Sequence, residues 1–438
     1  MREKEKSIAY GIDERPPLGE ALPLAFQHLV AMFLGNVTPP LLIAGGLSLV
    51  TGETAFLIQM ALFVAGLSTI VQAYPIGPVG GRIPMVMGTS IAFVGVIVGI
   101  GKEYGLAMVF GCCLVASLIE VLIGASIVKL RRLFPPLVGA VVVMLIGLTL
   151  MPVGMDYFAG GVGAEDYGSI TNLLLAGVVL AVTLGLNLYM KGFLAHASIL
   201  IAVTVGYVLA AILGKVDFSA VAAAAWISIP VPLAKGLDFA VMPIVLLTLV
   251  FVISTMETLG DITGVLAAVD REPTDQELRG GLIADGVMSA VAACFSTFPN
   301  TSYSQNVGLV AFTGVISRYV AALTGLLLVI LGLVPKVGAL FATIPKPVFG
   351  GAGLVMFAMI FSSGLAVLRQ GVPLNHRNLV ILAVSIGVGL GCELRPGVLQ
   401  HLPEHVQTMM RYGMVSGGLT ALLLNLIVPE DSTKPTET

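Results

Sequence analysis

Charge is what this sequence has least of. Asp, Glu, Lys and Arg together make up 11% of 438 residues, against 57% hydrophobic ones. A soluble domain needs about a quarter of its residues charged, so that class is excluded. Connecting segments are also scarce, and apolar stretches of spanning length follow one another so closely that no separate soluble domain fits between them. Cysteine is limited to Cys112, Cys113, Cys294 and Cys392, all inside apolar segments without metal-ligand spacing, and they read as inert buried thiols. No histidine cluster, Gly-x-Ser-x-Gly elbow or protease-like aspartate pair occurs. These absences argue against an intramembrane enzyme and against a metal or other cofactor. A net charge of −3 gives no footing for nucleic acid.

What is present is a polytopic, all-α membrane chain. Segments of about 20 apolar residues are expected at 20–43, 53–73, 83–100, 104–128, 133–155, 170–188, 195–214, 238–268, 279–297, 301–315, 316–343, 345–368, 376–394 and 410–428. The first follows a charged head, MREKEK, but is long, carries Gln27 and His28 and lacks a small-residue cleavage site, so it is expected to be retained. With the N-terminus in the cytoplasm, Lys and Arg fall inside about twice as often as outside. Arg2, Lys4, Lys6, Arg82, Arg131, Arg132, Arg279 and Lys434 are among those inside. Both termini are then cytoplasmic.

The third and tenth segments are too short and too polar for plain helices. The tenth contains PNTSYSQNVGLVAFTG, Pro299 to Gly314, a polar run that hydrocarbon would not tolerate unless protein encloses it. Pro84 to Ser90 in the third segment repeats its proline and polar end at the same spacing, and Pro135-Pro136 is echoed by Pro345-Lys346-Pro347 at nearly the same offset. Seven plus seven segments follow, and an odd repeat forces the halves into opposite topology. That is the inverted-repeat construction of secondary transporters, in which broken segments meet at the midplane and aim half-helix N-termini at the substrate.

An ionisable side chain inside a span costs about 2.5–3.5 kcal/mol on insertion scales unless it is paired or faces water. Those present are His28, Glu120, Glu257, Asp261 and Asp285. Glu257 and Asp261, four apart, share one helix face, where both cannot stay charged cheaply. One that gains and loses a proton suits proton-coupled transport and can also accept from a substrate N–H. Asp261 is equally readable as a helix bridge, and His28 as a packing residue. Gln305 offers one acceptor and two donors, and Glu257 offers acceptors, to a ligand edge of alternating C=O and N–H groups. Backbone N–H groups near Ala92, Phe93 and Asn306 can add donors. Phe93 presents a face for stacking or simply packs, while Ser90, Thr89 and Ser304 either tune the polarity of a pocket or let helices approach. Glu120 admits three readings: at a domain boundary, paired with a hydroxyl, or protonated.

Gln305-Asn306-Val307-Gly308, with Thr313-Gly314 five residues on, resembles the complete signature of the nucleobase-ascorbate transporter family, Gln/Glu-Asn-x-Gly-x-x-x-x-Thr followed by Arg, Lys or Gly. Gln27-His28, Glu257-Thr258-Leu259-Gly260-Asp261 and Asp285 support the resemblance, which spans nearly the whole chain. It implies a core domain, 20–132 and 238–344, holding segments 1–4 and 8–11. It implies a gate domain, 133–237 and 345–428, holding segments 5–7 and 12–14, with tails at 1–19 and 429–438. The positions of Glu257 and Gln305 would then bind the base, His28 would support the site, and Asp285 and Asn306 would matter for function. Members of the family import a nucleobase with a proton by elevator-like movement in the cell membrane, many as homodimers through the gate. Gln at the first signature position is usual in bacterial xanthine and urate carriers and Glu in uracil carriers, so a purine oxide is favoured. Val307 with Gly314 leans toward urate. A uracil permease and an anion transporter of the sulfate-permease-like fold are the alternatives, and Glu257 would repel an anion.

Overall fold

The computed structural model describes residues 9–130 and 135–429. Arg2, Lys4, Lys6, Arg131, Arg132 and Lys434, on which the orientation reading draws, lie outside them, as do most of the expected C-terminal tail and the first part of the N-terminal one. The chain divides into two compact units, Met1–Leu130 with Gly154–Met356, and Arg131–Val153 with Phe357–Thr438.

In the first unit, α1 (Leu18–Gly46) and α2 (Thr51–Ala73) precede a three-residue strand, β1 (Met87–Thr89). A 3-10 turn, Ile91–Phe93, then leads into α3 (Val94–Tyr104), α4 (Leu106–Ala116) and α5 (Leu118–Leu130). After α6 (Pro136–Phe158), which has residues in both units, come α7 (Ile170–Tyr189), α8 (Phe193–His196), α9 (Ser198–Ile212) and α10 (Ser219–Ala223). The second half begins with α11 (Val241–Ala267) and α12 (Asp275–Cys294), followed by β2 (Asn300–Ser302), α13 (Ser304–Thr313), α14 (Arg318–Gly332) and α15 (Pro335–Ala342). The helix α16 (Lys346–Gly371) again has residues in both units. It leads to α17 (His376–Leu394), α18 (Glu404–Met410) and α19 (Gly413–Ile427) in the second.

Among the described residues, eight helical stretches are long and apolar enough to span, with α4 and α5 together as one. The pair α14 and α15 makes a ninth, bent by 80° where Pro335 starts a new helix. The expected single segment 316–343 is therefore broken, with Pro335 in the first turn of α15, where its missing N–H costs no helical hydrogen bond. Among the described residues the regular elements are helices apart from the strand pair, which precedes the helical part of the third and tenth segments.

Helices in lipid gain nothing from burying apolar surface against one another, so close packing through small residues holds them together. The interface of α2 with α14 brings backbones into contact at Gly66 and Gly325, where a Cβ on Gly66 would sit 2.5 Å from the Gly325 carbonyl oxygen. The interface of α5 with α12 does the same at Gly124 and Gly286, the latter 2.8 Å from the Val121 nitrogen. A core of Leu29, Met32, Phe33, Ile58, Leu62 and Tyr303 ties α1 and α2 to the tenth segment. The residues before α1 strap the far end of α13, with the Ala9 N–H donating to the Gly314 carbonyl at 3.0 Å and Asp13 pairing with Arg318 at 2.6 Å.

The second unit packs Leu137, Ala140 and Met144 of α6 against Leu368 and Ile381. Gly389 on α17 touches the Gly413 backbone, and Arg377 closes the end of α19 by donating to the Asn425 and Val428 carbonyls at 2.7 and 2.8 Å.

Candidate functional site

A strand inside a membrane needs every backbone group satisfied by protein. β1 and β2 meet that demand by pairing antiparallel, Met87 with Ser302, Gly88 with Thr301 and Thr89 with Asn300. Bonds from Ser90 N–H to Pro299 O at 2.8 Å and from Tyr303 N–H to Val86 O at 3.1 Å extend the pair. The outer edges are closed by side chains: Thr89 N–H donates to Asn36 Oδ1 at 2.7 Å, Met87 N–H to Thr69 Oγ1 at 3.0 Å, and Asn300 N–H to Ser289 Oγ at 3.0 Å. Tyr303 locks the crossing, its hydroxyl donating to the Thr89 carbonyl at 2.8 Å. Its ring passes between Gly35 and Gly88, where an added Cβ would lie 2.6 and 2.7 Å from ring carbons. Each strand then runs into a helical N-terminus, the turn at Ile91 and α13 at Ser304.

The helix α11 packs against the 3-10 turn, β2 and α13, and so brings its acidic face to the crossing. Asp261 accepts from Ser302 and Ser304, both at 2.6 Å, clamping the end of β2 to the start of α13. That geometry gives Asp261 the bridging part of its two readings. Asn306 donates to His28 Nδ1 at 2.9 Å and to the His28 carbonyl at 3.1 Å, which joins α13 to α1 with both side chains buried. Asp285 accepts from Thr258, and Thr258 Oγ1 stands 3.3 Å from Thr301 Oγ1 in β2. Glu120, wholly buried, has Thr255 Oγ1 as its nearest hydroxyl at 3.5 Å, the far limit of a hydrogen bond.

Glu257 and Gln305 differ from all of these. Both are half-buried, and among the described residues neither side chain has a hydrogen-bond partner. Ser90 Oγ, just before the turn that holds Ala92 and Phe93, is buried and also without a partner among the described residues. Phe93 is fully buried and meets Phe251 edge to face, with centroids 4.6 Å apart, so one edge of its ring is already committed to packing. Gly314, the last signature residue, ends α13 at φ +68°, a left-handed conformation that glycine adopts freely. Asn36, Thr69, Thr258, Ser302 and Tyr303 escape a search for ionisable residues because they are neutral. The only sequence signal for them is polarity within a span.

The sequence matches the family model described as the permease family, named for xanthine and uracil, over residues 19–397. The chain belongs to the xanthine/uracil permease family. It is a membrane transporter and not an enzyme. The permease is 40% identical to xanthine permease XanP of Escherichia coli (strain K12), covering 98% of this chain and 96% of that one. It is 37% identical to the nucleobase transporter PlUacP of Paenibacillus larvae, covering 93% and 94%. Its fold is similar to that of SLC26A9, with a TM-score of 0.64 at 13% identity over 94% of this chain and 66% of that one.

Removing the clamp tests its importance. Asp261→Ala is expected to lower the uptake rate at least about tenfold, since two hydrogen bonds to a charged group are each worth about 1.5–3 kcal/mol and both order the start of α13. Uptake per molecule of membrane-inserted protein is the measurement, and a rate within a factor of two of the parent would refute the clamp.

Proposed function

We propose that the permease imports a purine oxide, xanthine or uric acid, together with a proton across the cell membrane. The observation that carries this is the division of labour around the crossing. Asp261, Asp285, Asn306 and His28 are held by intramolecular hydrogen bonds, whereas Glu257 and Gln305 are left with acceptors and donors to spend on a ligand. The amide of Gln305 and the carboxyl of Glu257 complement the alternating C=O and N–H edge of an oxidised purine. Helical N-termini and the Ala92 and Phe93 backbone suit its carbonyl oxygens. The names of XanP and PlUacP point to the same ligand class. An anion as cargo is disfavoured by the carboxyl of Glu257 at the crossing.

The architecture supports transport by rigid movement of one body past another. Antiparallel β1 and β2 and the equivalent pairings α2 with α14 and α5 with α12 fit two inverted repeats of seven segments, fourteen in all. In this reading segments 1–4 and 8–11 form the moving core, segments 5–7 and 12–14 form the gate and the homodimer contact, and both termini are cytoplasmic.

The test is uptake of labelled xanthine, urate and uracil by cells lacking their own permeases. Xanthine or urate should accumulate and uracil should not, and a protonophore should abolish accumulation. Gln305→Glu exchanges two N–H donors for acceptors and is expected to shift preference toward uracil by about tenfold, the scale of one mismatched buried polar contact. Purine accumulation insensitive to the protonophore would sink the symport reading.

A further inference from the structure

The mechanism above makes no use of Glu120, and that residue sits in a setting that an ordinary ionised glutamate would not tolerate. Its side chain is completely buried on α5, as is Asp285 on α12. The two helices touch backbone to backbone at Val121 and Gly286, one residue beyond each carboxyl, and the carboxyls are near enough to interact electrostatically. Among the described residues neither carboxyl has an ion pair. The basic residues of α4, α5, α11 and α12 are Lys129 and Arg279, both exposed, and Arg279 is six residues, about 9 Å along the helix, from Asp285. The other titratable groups on these helices that bear on the pair are Glu257 and Asp261, both acidic, and the thiols Cys112 and Cys113 on α4.

Counting hydrogens narrows the state of the pair. A threonine hydroxyl has one proton to give. That of Thr255 lies 3.0 Å from the Phe251 carbonyl and 3.5 Å from Glu120 Oε1, so the better-placed carbonyl takes it and Glu120 is left facing a lone pair. That of Thr258 goes to Asp285 Oδ2. Glu120 Oε2 and Asp285 Oδ1 then remain, both buried and both without a partner among the described residues. Two uncompensated buried anions would cost several kcal/mol each, whereas one proton on the Glu120 side turns an unpartnered acceptor into a donor and removes one charge.

We propose that Glu120 and Asp285 hold one proton between them and form a second proton-binding site of the transporter, separate from Glu257. The site reaches the strand crossing through Thr258. While Asp285 is ionised, the single Thr258 proton is committed to it. When Asp285 takes up the proton, Thr258 is free to donate to Thr301, 3.3 Å away in β2 opposite Gly88. Occupancy of the pair is thereby linked to β2, the strand that leads into α13 and Gln305.

The existence of the shared proton can be tested without any substrate, and its use in coupling rests on the purine symport reading. Infrared spectra of the full-length protein in lipid bilayers at neutral pH should contain a protonated, buried carboxylic-acid C=O band that Glu120→Gln removes. A band unchanged in Glu120→Gln overturns the site. In proteoliposomes, Glu120→Gln should keep exchange of labelled xanthine for unlabelled xanthine within about threefold of the parent but lose at least about tenfold of pH-gradient-driven accumulation. Loss of the band with accumulation intact overturns the coupling role. Loss of exchange as well would make the role structural, and Thr301→Val, which removes the β2 end of the link and leaves the Thr258–Asp285 bond in place, must then lower accumulation while sparing exchange if the proposal is to stand. A parent protein that exchanges no purine rejects the symport reading and the coupling role with it, and the infrared result still decides the shared proton.

Discussion

Glu257→Gln should reduce the initial rate of xanthine uptake by about 100-fold or more while leaving the amount of folded protein in the membrane unchanged. The two halves of that expectation have one cause. Because the Glu257 carboxyl has no hydrogen-bond partner among the described residues, trading one oxygen for NH2 breaks no intramolecular bond and strands no buried group. The neutral amide is also cheaper than a carboxylate in a half-buried position, so helix α11 keeps its packing. The ligand, by contrast, loses a charge-assisted hydrogen bond worth about 1.5–3 kcal/mol, a factor of about 10–150 in binding. Loss of the protonatable oxygen removes the thermodynamic link between substrate and proton as well. Labelled-xanthine uptake, normalised to the monodisperse peak of solubilised protein, measures both halves. Proton-dependent uptake within twofold of the parent would show that Glu257 is not the substrate carboxyl.

Glu257 and Gln305 were legible in the sequence for different reasons. A carboxyl in a span stands out against hydrocarbon, and Gln305 belongs to a contiguous signature. The broken character of segments three and ten could also be read, from Pro84, Pro299 and the polarity that follows each. Their pairing could not be. Three-residue strands carry no useful periodicity, and Gly88 and Thr301 are joined only by the tertiary fold. Of the side chains that make the crossing possible, Tyr303 lies inside the polar run, but Asn36, Thr69 and Ser289 are neutral and scattered over three other segments, so neither a charge filter nor a local motif finds them. Asp261 illustrates the same limit. Its spacing from Glu257 suggested a shared titrating face, and only the positions of Ser302 and Ser304 on either side of the strand end reveal the clamp. Glu120 offered three readings in the sequence because nothing in its own neighbourhood on α5 tells which helix it faces.

The largest effect on stability is expected at Gly66. A Cβ there would lie 2.5 Å from the Gly325 carbonyl oxygen and 2.6 Å from the Val329 nitrogen, and one on Gly325 would lie 2.7 Å from the Gly66 carbonyl oxygen. All three are backbone atoms, two of α14 and one of α2, which cannot swing aside as a side-chain end would, so relief requires the helices to part. Parting forfeits the dispersion contacts that hold helices together in lipid, where no hydrophobic gain replaces them. Overpacking commonly costs about 1–3 kcal/mol, and Gly66→Val, with three added carbons against rigid backbone, belongs at or above the top of that range. The same substitution at Gly52, in the first turn of α2 with nothing within 4 Å, should be nearly neutral. Thermal unfolding followed by the monodisperse peak of solubilised protein separates the two. Gly66→Val should melt roughly 5 °C or more below the parent, and equal melting of the Gly66 and Gly52 variants would show that α2 and α14 are not in backbone contact. The damage should extend to transport, because Thr69, three residues and nearly one turn beyond Gly66, accepts the Met87 N–H and holds β1 in register. Pushing α2 away from α14 pulls on that bond, so whatever Gly66→Val protein survives should transport poorly even below its melting temperature. Gly286→Val, at the equivalent contact of α12 with α5, should reproduce the loss of stability from the other half of the molecule.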